Sequence, residues 1–97
     1  MPIYKDSRMD VLYYSDEPAA ENVPCTVKID DQGILVEYSD DGLVQYRGDK
    51  DSSGHFMLTS PEVDGRATLH RLTESTILEG SWVENGYRGM WRIELGE

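Results

Sequence analysis

The chain has a single cysteine, Cys25, so no internal disulfide holds it together, and a reducing intracellular setting is the expectation. It lacks any apolar run near the roughly 20 residues that a membrane helix needs. Its opening, MPIYKDSRMD, has no apolar stretch of the signal-peptide kind. A cytoplasmic protein that makes no membrane contact is expected. Basic residues are also scarce: 9 Lys and Arg stand against 19 Asp and Glu, for a formal charge of −10. Such a field repels phosphate backbones, which argues against nucleic acid as a partner and leaves cations or a basic protein face as its complement.

Motifs of catalysis are missing as well. There is no G-x-S-x-G elbow and no glycine-rich phosphate loop opening a helix. His55 and His70 have no third ligand at zinc spacing and fall on the wet side of their segments, so they read as surface histidines. Asp30-Asp31 and Asp40-Asp41 sit in turn sequences, where both members ionise and nothing separates their pKa values. Cys25 falls on an apolar face and reads as an inert core thiol. No enzyme is expected, and no cofactor is implied.

What the chain does have is a period of two. Its 97 residues suffice for one domain that buries roughly two thirds of its unfolded surface. From Val23 onward apolar residues alternate with polar ones: Val23, Cys25, Val27 and Ile29; Ile34, Val36 and Tyr38; Val44 and Tyr46; Phe56 and Leu58; Ala67 and Leu69; Leu78, Gly80 and Trp82; Tyr87, Gly89, Trp91, Ile93 and Leu95. That is the signature of strands with one buried and one wet face. Residues 1–22 are weakly patterned. Met9 to Tyr14 reads as a first strand or a short helix, and Asp16 to Asn22 as a loop, so the patterned domain spans residues 23–97.

The turns between the strands fix their registers. Asn85-Gly86 is a type I′ hairpin signal. It pairs Glu84 with Tyr87, Trp82 with Gly89, Gly80 with Trp91 and Leu78 with Ile93, and it sets Glu79 across from Arg92 as an opposite-charge pair. A slip of one residue loses every match. A three-residue Asp40-Asp41-Gly42 loop pairs Tyr38 with Val44 and Val36 with Tyr46. A four-residue loop from Asp30 to Gly33 pairs Ile29 with Ile34, Val27 with Val36 and Cys25 with Tyr38. Short connections make sequence neighbours sheet neighbours. The expected architecture is all-β, an antiparallel up-and-down meander of seven to eight strands curled into a small barrel, with a β-sandwich as the alternative.

The segment Leu78-Glu79-Gly80-Ser81-Trp82, continued by Gly89-Met90-Trp91-Arg92-Ile93-Glu94-Leu95, resembles the Gly-x-Trp strands of calycin-like barrels, the group of lipocalins, avidins and fatty-acid-binding proteins. The resemblance implies an antiparallel barrel with an interior able to hold a small apolar ligand, and it carries over no binding residue.

Three sets of residues are candidates for function. Tyr38, Tyr46, Phe56, Trp82, Tyr87 and Trp91 converge on one interior, where they either line a ligand pocket or fill the core of a small barrel. Ile77, Val83, Arg88, Met90 and Arg92 lie on the outer face of the last hairpin, a mixture of Met, Arg and aliphatics that suits a protein interface. Asp49, Asp51 and Ser53 match the opening of a calcium loop, D-x-D-x-S-G, but the twelfth position is Ser60 rather than a bidentate Glu, and a polar hairpin loop accounts for the segment. The first expectation is therefore a protein-interaction module that self-associates or captures a basic partner. The alternative is a carrier of a small apolar ligand.

Overall fold

A computed structural model describes residues 3–40, 42–52 and 54–97, with residues 51 and 52 described by backbone alone. The strands are β1 (Ile3–Tyr13), β2 (Ala20–Ile29), β3 (Gly33–Ser39), β4 (Leu43–Ser52), β5 (His55–Ser60), β6 (Gly65–His70), β7 (Ile77–Glu84) and β8 (Tyr87–Glu94), with one 3-10 turn at Pro61–Val63. They follow one another around a closed antiparallel barrel in chain order. This is the meander expected, closed rather than folded into a sandwich, and it agrees with the calycin resemblance at the level of an eight-stranded barrel. Among the described residues no helix is long and apolar enough to cross a membrane.

The turn chemistry sets the registers as anticipated. Trp82 pairs with Gly89, Gly80 with Trp91, Leu78 with Ile93 and Glu79 with Arg92. Tyr38 pairs with Val44 and Val36 with Tyr46. Ile29 pairs with Ile34 and Val27 with Val36, although the ladder ends at Thr26–Glu37, one pair short of Cys25–Tyr38. Asn85 and Gly86 both take positive φ, 52° and 87°, as a type I′ turn requires.

Two expectations need correction. Of the strand and the short helix expected for Met9 to Tyr14, the strand is observed; it spans Ile3–Tyr13 and closes the barrel, pairing with β2 on one side and with β8 on the other, from Arg8–Glu94 to Tyr13–Gly89, while Ala20 to Asn22, expected in a loop, open β2. In addition, β4 runs on to Ser52, so the polar stretch from Gly48 is mostly ladder rather than loop. Its register with β5 shifts between Lys50 and Ser52.

Ser7, Met9, Val11 and Tyr13 turn inward on β1 and join the face that the other strands bury. Ser7 is the polar member of that set. Its hydroxyl donates to the Tyr4 carbonyl at 3.0 Å and accepts the Gly96 N–H at 3.2 Å, so it is buried at little cost and ties the last residues to the first strand.

The Trp–Gly pairs have two different causes. At Gly89 a Cβ would overlap the Leu12 carbonyl and lie 3.0 Å from the Trp82 ring, so the indole does cover this glycine. At Gly80 the nearest atoms are the Thr68 carbonyl group and the Leu69 Cα, so it is the β6 backbone that leaves no room for a side chain. Trp91 instead packs edge-on against Tyr46, with ring centroids 4.8 Å apart. The Trp82 indole N–H donates to the Met90 carbonyl at 3.2 Å. Trp91→Ala is expected to cost about 3–5 kcal/mol, the range for a truncated core aromatic. Gly89→Val should destabilise through its overlap with Leu12. Urea denaturation of both variants checks these, and a wild-type midpoint for either would contradict the packing.

Candidate functional site

The interior is filled. Val27, Val36, Tyr46, Leu69, Leu78 and Ile93, one from each of β2, β3, β4, β6, β7 and β8, are all 0% exposed. Side chains around a water-sized void would expose surface to it, so no such void borders these six. Of the six aromatics expected inside, Tyr46, Phe56, Trp82 and Trp91 are buried and Tyr38 is half-buried. Tyr87 departs from the expectation: it is 56% exposed. Its parity along β8 matches that of Trp91, but it stands next to the turn, beyond the rim of the barrel.

The same parity carries Glu84 inward at that end, which sequence reasoning missed because an acid was not sought on an apolar face. The Tyr46 phenol donates to Glu84 Oε1 at 2.6 Å, and the Tyr38 phenol donates to the same oxygen at 3.4 Å. The Tyr46 bond is short because its acceptor is charged. Burial, and then the hydrogen bond to this carboxylate, pushes the ionisation of Tyr46 well above the usual phenol range. Burial and the Glu84 charge do the same to Tyr38. Tyr13, edge-on to Trp82 at 5.4 Å, is raised by burial and by Asp40. Burial likewise lifts the Cys25 thiol to about 11, with Arg8 pulling weakly the other way. Such a thiol stays protonated and unreactive at neutral pH.

Asp49 lies exposed on extended β4, paired with Gly33 and Met57, where the backbone does not curl as a calcium loop must. The Asp51 side chain and Ser53 lie outside the described residues. His55 and His70 do face each other, with ring centroids 4.7 Å apart, on the outer wall. Among the described residues no group of three His, Cys, Asp or Glu is placed to hold a metal ion.

The outer wall of the last hairpin gathers more than the sequence indicated. Met90 and Arg92 stand beside Leu12 and Asp10 of β1, their partners across the closing ladder. Leu12 is 47% exposed and Met90 38% exposed. Together with Val11, Ala19, Glu21, Glu79 and Trp91 they line an open groove of about 260 Å³. Its shape comes from a bulge: Met9 pairs with Val23 but Val11 pairs with Ala20, so β2 spends two residues, Glu21 and Asn22, where β1 spends one. Asn22 takes φ 58°, a conformation that Asn tolerates better than most residues. Asp10 Oδ1 accepts the Asn22 N–H at 2.9 Å and holds the bulge in place. Glu79 and Arg92 approach to 4.0 Å across the hairpin, both well exposed.

Val83 and Arg88 pair one step nearer the hairpin tip, and Val83 lines a neighbouring shallow groove with Met57, Thr59 and Arg66. Ile77 is half-buried near the opposite end of β7, roughly 13 Å along the strand from Ser81, the residue opposite Met90, so it does not belong to this patch. Cross-strand pairing also strings Lys28, Leu35, Arg47, Thr59, Arg66, Val83 and Arg88 into one oblique outward row. The row carries four of the 9 basic side chains, and the rim of the groove lies outside it.

Comparison with protein-family models, with curated proteins and with solved structures finds no match for the chain.

The Tyr46–Glu84 bond generates a pH prediction. A phenol whose folded pKa is raised stabilises the native state fully below the unfolded value and loses that contribution as pH climbs past it. Native stability should therefore fall as pH rises above about 10, the unfolded tyrosine value. Tyr46→Phe should cost about 1.5–3 kcal/mol at neutral pH, the range for a hydrogen bond to a charged group, and should flatten the alkaline slope. Urea titrations at a series of pH values check both, and an unchanged slope would mean that the phenol is not held. Iodoacetamide provides a second check: Cys25 should resist alkylation at neutral pH until the chain is unfolded.

Proposed function

We propose that the protein is a non-enzymatic interaction module that docks another protein on the outer wall where β8 meets β1. The observation that carries this reading is the outward pair Leu12 and Met90, which face each other across the closing ladder and floor a groove flanked by Asp10, Glu79 and Arg92. Exposed aliphatic and Met side chains with an Arg at their margin are typical of protein interfaces. Closure of the barrel supports the same reading. A closed sheet offers no free strand edge, so a partner is taken through side chains on the wall rather than by strand addition. The reading is non-enzymatic because Glu84, the inward-reaching carboxylate, is engaged by Tyr46, and the paired histidines face the outer wall.

Carriage of a small apolar ligand in the manner of calycin barrels is the alternative. The filled interior weighs against it, since a ligand would have to displace residues that leave each other no accessible surface.

Affinity capture from cell extract with the full chain, with Met90→Asp and with Leu12→Asp tests the proposal, each variant first shown to keep the wild-type far-UV spectrum. Both should lose the proteins that wild type retains reproducibly. Retention of the same proteins by both folded variants would overturn the assignment of this face.

A further inference from the structure

We infer that the groove over the β1–β8 ladder takes an apolar side chain carried on a basic segment of the partner, a deeper statement that rests on the interaction reading above. The floor, Leu12 and Met90, is apolar and about 260 Å³ in extent with the rest of its lining. That is less than the roughly 300 Å³ or more of a small-molecule pocket, and it suits one or two inserted side chains.

The rim sets the charge of what surrounds them. Asp10, Glu21 and Glu79 face one guanidinium, Arg92, and Arg92 is already within 4.0 Å of Glu79. Asp10 spends one oxygen on the Asn22 N–H, which orients its carboxylate without neutralising it. Three acids against one base leave a net negative rim on a chain whose formal charge is −10. A Lys or Arg on either side of the inserted residue therefore gains from the local rim and from the whole field, while an acidic segment is repelled by both. A second copy of this chain brings its own charge of −10 and is disfavoured on the same ground.

The bulge sets one acid of the rim. Without the extra residue on β2, the register that runs from Ser7–Cys25 to Met9–Val23 would continue, and Glu21 would fall opposite the inward residue Val11 rather than at the groove beside Asp10.

The test uses isotopically labelled full chain and three synthetic probes: acetyl-Lys-Leu-Arg-Leu-Lys-amide, its acidic counterpart acetyl-Glu-Leu-Glu-Leu-Glu-amide, and acetyl-Lys-Gly-Arg-Gly-Lys-amide. The first should shift the amide resonances of Leu12, Glu21, Glu79 and Met90 saturably. The shifts should shrink when ionic strength rises from about 0.1 M to about 1 M, where the Debye length falls from about 10 Å to about 3 Å. Glu79→Lys should weaken the binding by about three- to tenfold, the scale for reversing one exposed charge. Four outcomes would overturn the inference: equal binding of the acidic probe, equal binding of the glycine probe, shifts spread over acidic residues throughout the chain, or concentration-dependent shifts of the same four amides in the unliganded chain, which would make a second copy the occupant. If captured proteins are lost in Met90→Asp but kept in Glu79→Lys, the docking face stands and the basic-segment inference falls. If neither variant changes capture, the face itself is wrong.

Discussion

The ladder between the first and last strands is the interaction on which the rest of the structure depends. Its pairs run from Arg8–Glu94 to Tyr13–Gly89 and join residues at opposite ends of the chain. Without it the meander is an open sheet with two bare edges and one apolar face in water. With it, Met9, Trp91 and Ile93 close against the residues of β2 to β7, and the face becomes an interior. Gly89 permits the closure, since any side chain there would meet the Leu12 carbonyl, and the Trp82 ring then covers the gap. The tail is tied in as well: the Asp6 N–H donates to the Gly96 carbonyl at 2.9 Å and the Leu95 N–H to the Thr76 carbonyl at 2.7 Å.

Closure explains why the interior has no spare room. Eight strands make a narrow barrel, with space for side chains or one small ligand. Here Tyr46, Trp82 and Trp91 take that space. Their polar atoms are led outward, Tyr46 to Glu84 at the rim and Trp82 to the Met90 carbonyl. Large aromatics with a satisfied polar end fill volume without leaving an orphaned donor.

The hairpins from Val23 onward were legible because two signals agree there: alternation says which residues turn inward, and Asn85-Gly86 or Asp40-Asp41-Gly42 says who faces whom. The first strand was legible only in part: Met9 to Tyr14 reads as a strand or a short helix, and nothing marks Ile3 to Arg8 or the closing ladder. Its inward set contains a serine, Ser7, buried only because Tyr4 and Gly96 satisfy its hydroxyl, a condition that shows only in three dimensions. Its outward set contains a leucine, Leu12, which turns Val11-Leu12-Tyr13-Tyr14 into a run with no visible period. Parity along the last hairpin was right for Tyr87 and Glu84, but parity does not say where a barrel ends, so an exposed tyrosine was expected inside. The loop reading of Gly48 to Ser52 departs from the structure for a related reason. A string of Asp and Ser reads as a loop, yet pairing with β5 keeps most of it extended. Half of the candidate site, Met90 and Arg92, followed from the outward positions of the last strand. The other half, Leu12, Asp10 and Glu21, depends on the closing ladder and a bulge between strands whose pairing the sequence did not reveal.

Leu12 departs from the alternation at the same place where the wall is grooved, and the coincidence has a physical reading. An outward leucine beside an outward methionine gains nothing from the barrel's own core, because both point away from it. Local rules are broken without an internal gain mainly where function requires it. The charges nearby are consistent with that. Four basic side chains stand in one oblique row through Lys28, Arg47, Arg66 and Arg88, while the rim of the groove is acidic. At physiological salt, fields fade over about 8 Å, so a partner at the groove senses the rim first and the row only at its margin. On the proposed reading, a basic segment would be drawn to the closing ladder and pushed from the Arg66–Arg88 side, which would set its orientation as well as its place. Net charge alone would attract the same segment to any acidic loop, and only the apolar floor between β1 and β8 gives it a reason to stay.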